Sequence, residues 1–171
     1  MRLRGMLPAK PLAASRHWFL SAFNLTRSGK EHRVSKAETI RTRPAGDDHQ
    51  VVTVIGGKGL YRKKPCQTCP WREDAVGEFP AEAFRHSAET AYDMSEHQFS
   101  CHQSGKTKPA VCAGFLLRGA QHNLSVRLGF MRGRYKDDVE DGGHKLFDNY
   151  RAMAIANGVA PDDPVLAKCR D

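Results

Sequence analysis

The fold of this chain is decided at residues 63–72, which read KKPCQTCPWR. The prolines before Cys66 and after Cys69 each fix their own φ and disfavour helix in the preceding residue, so this stretch is predicted to form a tight, irregular turn. A C-x2-C turn places two thiols on one side of a loop, and its backbone N–H groups can point at the sulfur atoms. The turn therefore predicts half of a metal site.

Two later cysteines can complete the shell. Thirty-one residues separate Cys69 from Cys101, and ten separate Cys101 from Cys112. Four thiolates suit a soft or borderline cation, so Zn²⁺ in a tetrahedral shell is expected, with a [4Fe–4S] or [2Fe–2S] cluster as the alternative. His102 is the alternative fourth ligand in a Cys3His shell. We expect it to lie outside the ligand shell, either beside it or on the surface, because neighbouring side chains in an extended segment face opposite sides.

A redox dithiol at Cys66 and Cys69 is a further alternative. In thioredoxin-like proteins the C-x-x-C motif opens a helix after a strand of a βαβ unit. Here Pro70 and Trp71 follow the second cysteine, and the surrounding sequence has no βαβ pattern. Cys169 lies far from the other cysteines and is left out of the predicted site.

The basic charge of the chain is confined to its N-terminal part. Of the net charge of +8, all lies in residues 1–45, where ten Lys and Arg face two acidic residues; residues 46–171 hold 17 of each sign. Nucleic-acid contact is therefore expected to be weak and limited to the basic arm. No stretch approaches the roughly 20 apolar residues of a membrane span. Clustered cysteines without a secretory signal favour a reducing compartment, so a cytoplasmic location is expected.

The pattern along the chain predicts a small α+β domain with short helices and few strands, stabilised by metal. We expect a disordered basic arm at residues 1–48, the metal-binding domain at 49–165 and a tail at 166–171. The predicted elements are a strand at 51–55, an extended segment at 97–101, and helices at about 80–92, 111–117, 123–131 and 144–156.

Four motifs together resemble an uncharacterised family of small bacterial and bacteriophage proteins. They read KPCQTCPWR at 64–72, GEFP at 77–80, FSCH at 99–102 and CAGFL at 112–116. The resemblance spans about residues 60–130 and leaves the N-terminal arm outside. It implies that the four cysteines belong to one site, with His102 as a possible further member. It implies no activity.

These observations predict a binding or regulatory module more readily than an enzyme, since no catalytic arrangement of side chains stands out. In the first hypothesis the metal is a structural zinc ion. The alternatives are an iron–sulfur protein with a redox or sensing role and a thiol oxidoreductase that uses Cys66 and Cys69. The partner, protein or nucleic acid, is not identified by the sequence.

Overall fold

The computed structural model describes residues 16–22 and 36–170, and for 16–22 it describes the backbone only. Its mixed α+β class is the predicted one. The strands in this part of the chain are β1 (Arg16–Ala22), β2 (Glu38–Pro44), β3 (His49–Ile55), β4 (Leu60–Tyr61), β5 (His97–Ser100) and β6 (Ala110–Val111). The α-helices are α1 (Ala81–Ser87), α2 (Ala113–Arg118), α3 (Leu124–Met131) and α4 (Tyr150–Ala156).

The strands form a single sheet in the order β2-β3-β1-β5-β6-β4. β3 is the strand predicted at 51–55, and its Val51, Val52 and Val54 are all buried, as expected for a strand covered on both faces. It pairs in parallel with β1 and antiparallel with β2. β5 pairs antiparallel with β1 and with β6, and so connects the two halves of the sheet.

Two parts of the arm predicted to be disordered are strands instead. They are β1 and β2, and the rest of residues 1–35 lies outside the described residues. The side chains of β2 are mostly exposed, because β2 is an edge strand whose backbone bonds are all supplied by β3. An edge strand can carry charged side chains on both faces. The charged sequence of β2 was therefore interpreted as part of a disordered arm. The domain boundary at residue 49 stays a prediction.

The helices are close to their predicted positions except the last. α1 begins after Pro80 and continues as a 3-10 turn through Ala91. The helix predicted at 144–156 begins only at Tyr150, capped by the Asn149 side chain, which accepts from the amide of Ala152 at 2.8 Å. The preceding residues run antiparallel to residues 71–73, with bonds from Glu73 N to Lys145 O at 3.1 Å and Phe147 N to Trp71 O at 3.0 Å. That pairing replaces the first helical turns.

The predicted tail at 166–171 is packed against the domain as far as residue 170. Leu166 and Cys169 are buried, and the amide of Arg170 donates to the carbonyl of Ala91 at 3.0 Å. Apolar residues in this segment cover the 3-10 turn that follows α1, so the segment belongs to the core. None of the helices in the described part of the chain has both the length and the apolar character needed to cross a membrane.

Candidate metal centre

The C-x2-C segment folds as two successive turns. The amide of Cys69 donates to the carbonyl of Cys66 at 3.1 Å, and the amide of Arg72 donates to the carbonyl of Cys69 at 3.0 Å. Pro65 and Pro70 flank the first turn and prevent it from continuing as a helix. The turns bring the Cys66 and Cys69 thiols into hydrogen-bond contact, as the spacing predicts.

The second pair of cysteines is brought together by β5 and β6. The amide of Cys101 donates to the carbonyl of Ala110 at 2.7 Å, and the amide of Cys112 donates to the carbonyl of Phe99 at 2.9 Å. This register places Cys101 and Cys112 diagonally on the same face of the antiparallel pair. The ten-residue spacing therefore reflects a short return of the chain, with Cys112 between the end of β6 and the start of α2.

The four thiols meet in the interior. The sulfur atoms of Cys69 and Cys112 lie 3.5 Å apart, and the Cys66 thiol is hydrogen-bonded to both Cys69 and Cys101. Each of the four residues is at most 6 % exposed. None of these cysteines is in a disulfide. Residues that are far apart in the sequence thus converge on one small volume, as the sequence analysis predicted.

Crowding keeps three of these groups, Cys66, Cys69 and Cys101, protonated as thiols. A hydrogen bond with Cys101 lowers the pKa of Cys66, but the bond with Cys69 and burial outweigh it and raise that pKa to about 12. The bond with Cys112, together with burial, raises the pKa of Cys69 well above its ordinary value. The bond with Cys66, together with burial, raises the pKa of Cys101. Four thiolates can occupy this volume together only if a cation neutralises their charge.

Backbone amides are directed at two of the sulfur atoms. The amide of Trp71 donates to the Cys69 sulfur, and the amide of Gln103 donates to the Cys101 sulfur; each bond favours the thiolate and lowers the pKa of its cysteine. The positive charge of Arg62 acts in the same direction on Cys66 and Cys101. These are the contacts that orient and stabilise a thiolate ligand.

The four thiols are donors of the kind that zinc binds, and one pair of them has the spacing of a zinc shell. Zn–S bonds of about 2.3 Å in a tetrahedron place neighbouring sulfur atoms about 3.8 Å apart, close to the 3.5 Å between Cys69 and Cys112. Among the described residues, no group of three or more His, Cys, Asp or Glu side chains is already arranged to hold a metal ion. The thiols instead contact one another in sequence, from Cys101 through Cys66 and Cys69 to Cys112. Converting that row into a shell requires side-chain rotation about a backbone that already brings them together.

His102 lies at the border of this cluster. Its Nδ1 is 3.8 Å from the Cys66 sulfur, and its Nε2 is 2.9 Å from the hydroxyl oxygen of Thr68. The ring also makes an edge-on contact with Phe79, with 5.1 Å between the ring centroids. The sequence analysis missed the parts played by Thr68 and Gln103. A hydroxyl inside the C-x2-C turn, at the residue before Cys69, was the one signal that could have indicated Thr68.

An acidic loop holds the segment that leads into Cys66. Asp138 accepts a hydrogen bond from the Tyr61 hydroxyl at 2.7 Å and forms an ion pair with Lys63 at 2.9 Å. Glu140 pairs with Lys64 at 3.2 Å, and its amide donates to the carbonyl of Lys63 at 2.8 Å. Both lysines are therefore paired with acidic side chains of the same domain.

Removal of this restraint is expected to loosen the predicted metal site. We predict that Asp138→Asn speeds transfer of zinc from the protein to a chromophoric chelator several-fold, because the chain entering Cys66 loses its ion pair. Asp137→Asn is the matched control, since Asp137 is exposed and forms no ion pair among the described residues. Equal transfer rates in the two variants would mean that the acidic loop does not restrain the site.

Cys169 lies apart from the four clustered cysteines. Its thiol is within 3.8 Å of the carbonyl oxygen atoms of Ala88 and Val165, and its backbone bridges to Tyr92. It was correctly left out of the cluster, but its burial shows that it is a core residue and not part of an exposed tail.

Comparison with known proteins places the chain in a family. A model for a family of unknown function, DUF6283, matches residues 61–170, which include all four clustered cysteines and His102. Comparisons with curated proteins and with solved structures gave no significant match. This match to a family of unknown function is consistent with the predicted resemblance to an uncharacterised family. The chain belongs to DUF6283.

Proposed function

We propose that this protein is a small zinc-binding module in which Cys66, Cys69, Cys101 and Cys112 hold one structural zinc ion. The observation that carries the proposal is the convergence of four buried thiols from two separate parts of the chain. Backbone N–H groups already directed at two of the sulfur atoms support it. When bound, the ion would neutralise the thiolates and join the C-x2-C turns to β5 and β6.

The spacing of the sulfur atoms favours a single ion over a [4Fe–4S] cluster. In a [4Fe–4S] cluster each cysteine binds a different iron, which keeps the four sulfur atoms well apart. Here Cys69 and Cys112 are 3.5 Å apart, and Cys66 contacts both Cys69 and Cys101. Sulfur atoms this close share one small cation more readily than a larger inorganic core.

A thiol oxidoreductase is less well supported. A reactive cysteine needs a lowered pKa and access to its substrate. Although the bond with Cys101 lowers the pKa of Cys66, the bond with Cys69 and burial raise it to about 12, and Cys69 is fully buried. Neither thiol opens an α-helix whose N-terminus could stabilise a thiolate, because Cys69 is followed by Pro70 and a second turn.

The metal content of the purified protein tests the proposal. We expect protein purified without chelator in zinc-supplemented medium to be colourless and to contain one equivalent of zinc per chain by elemental analysis. Structural zinc contributes a binding free energy on the order of 10 kcal/mol, so zinc should remain bound through purification. A brown protein that contains iron and acid-labile sulfide would overturn the zinc proposal in favour of a cluster. A metal-free, folded protein would overturn both.

A further inference from the structure

We propose that His102 positions a ligand and is not itself a metal ligand: its Nδ1–H donates to the sulfur of Cys66, and Thr68 fixes the ring in the required tautomer. The inference rests on the proposed zinc site and assigns a role to the one histidine at its border. It also separates a shell of four sulfur atoms from the Cys3His alternative that the sequence left open.

The two ring contacts determine where the proton lies. In a zinc-bound site the Cys66 sulfur is a thiolate and can only accept, so the nitrogen that faces it, Nδ1 at 3.8 Å, must carry hydrogen. In a neutral ring Nε2 is then an acceptor, and the Thr68 hydroxyl at 2.9 Å must donate to it. A hydroxyl can rotate to do so. Thr68 therefore selects the tautomer that Cys66 needs.

The surroundings hold the ring in this orientation. His102 opens a short 3-10 turn immediately after Cys101, which closes with a bond from the amide of Ser104 to the carbonyl of Cys101 at 3.0 Å. Phe79 packs edge-on against the ring and is itself buried. The histidine is thus held between the C-x2-C turn and the Phe79 side chain, with one nitrogen directed at each of two residues in the turn.

The contact gives the Cys66 sulfur an N–H donor, which Cys69 and Cys101 obtain from the backbone. Cys69 and Cys101 each accept a backbone N–H bond, from Trp71 and Gln103 respectively. At Cys66 the nitrogen directed at sulfur is a side-chain one. A hydrogen bond to a ligating sulfur fixes its direction and spreads its charge, and loss of such an outer contact typically costs metal affinity 10–100-fold.

Cobalt substitution and zinc affinity test this role. The variants are His102→Ala, His102→Asn, whose side-chain N–H₂ takes the place of Nδ1–H, and Thr68→Val. We expect His102→Ala to lower zinc affinity 10–100-fold and to shift the sulfur-to-cobalt charge-transfer band, while the ligand-field bands of a four-sulfur site persist. His102→Asn should restore most of the affinity, and Thr68→Val should lower it several-fold. His122→Ala is the control, because His122 lies in the turn before α3, where its carbonyl accepts from the amide of Met94.

Each other outcome counts against the inference. Ligand-field bands that change in His102→Ala to those of a three-sulfur site would make His102 a ligand. Unchanged affinity in His102→Ala, or no recovery in His102→Asn, would remove the hydrogen-bond role even though the zinc site stands. If His102→Ala does not fold, unchanged affinity in Thr68→Val overturns the tautomer argument. A wild-type protein that binds neither zinc nor cobalt would instead contradict the proposed function, and the inference with it.

Discussion

Replacement of Cys112 by serine is expected to abolish stoichiometric zinc binding and to unfold the chain at room temperature. Cys112 lies between β6 and α2, and its sulfur is in contact with Cys69 of the C-x2-C segment. Loss of this ligand leaves Cys101 as the one proposed ligand that still connects the second cysteine pair to the ion. The free energy at stake, on the order of 10 kcal/mol for structural zinc, is comparable to the whole stability of a typical domain, about 5–15 kcal/mol.

The measurement is zinc content together with the urea unfolding curve followed by circular dichroism. The wild type should show a cooperative transition that disappears when a strong chelator is added, and Cys112→Ser should resemble the chelated protein. Cys66→Ser, Cys69→Ser and Cys101→Ser should behave in the same way, because all four thiols belong to the proposed shell.

Cys169→Ser provides a matched control for this prediction. Cys169 is buried to nearly the same degree as Cys66, but its thiol contacts the carbonyl oxygen atoms of Ala88 and Val165. The variant should keep one equivalent of zinc and lose about 1 kcal/mol of stability from the buried hydroxyl. If Cys112→Ser retained its zinc and its transition while Cys66→Ser and Cys69→Ser changed, the site would be a two-cysteine centre and the four-cysteine proposal would be wrong.

More of the candidate site than of the fold could be predicted from the sequence. A C-x2-C motif between two prolines constrains its own geometry locally, so Cys66 and Cys69 could be paired from the sequence. The approach of Cys101 to Cys112 depends on β5 and β6, whose pairing is short. The resemblance indicated that these two cysteines belong together, but only the strand register explains their spacing.

The errors in the fold share one cause, which is pairing with distant segments. Residues 144–149 have enough apolar residues to suggest the start of a helix, yet they run beside residues 71–73. β2 carries the charges of a tail, yet it pairs along β3. In both cases the competing structure is stabilised by backbone bonds to residues far away in the sequence, and no local pattern reports them.

Gly114 in α2 and Gly119 at its C-terminal cap both lie close to Trp71, which connects the segment after Cys69 with the segment after Cys112. Trp71 follows Cys69 by two residues and is fully buried, in contact with Phe99, Phe115 and Tyr150. A Cβ added at Gly114 would lie 2.4 Å from Cβ of Trp71, and one added at Gly119 would lie 2.3 Å from Cη2 at the far edge of the indole. The helix that follows Cys112 therefore has glycine where it passes over Trp71.

Alanine at either glycine should destabilise the zinc-loaded protein by about 3 kcal/mol, near the upper end for overpacking of a dense core. The sign is informative at Gly114, because Gly→Ala inside a helix ordinarily stabilises it by about 1 kcal/mol. Neither glycine has a positive φ, so backbone strain does not contribute. Urea unfolding of the zinc-loaded variants measures the effect.

Trp71→Phe then distinguishes the two clashes. Phenylalanine keeps Cβ and Cγ, the atoms nearest to an alanine at 114, but lacks the outer ring carbons nearest to an alanine at 119. In the Trp71→Phe background we expect Gly119→Ala to cost about 1 kcal/mol, a coupling of about 2 kcal/mol with Trp71, while Gly114→Ala remains as costly as before. Equal costs for Gly119→Ala in both backgrounds would show that the indole edge does not set this constraint. The expected difference would establish that Trp71 and α2 pack as one unit beside the four cysteines, so that the segments bearing Cys69 and Cys112 are held together by their core contacts as well as by metal.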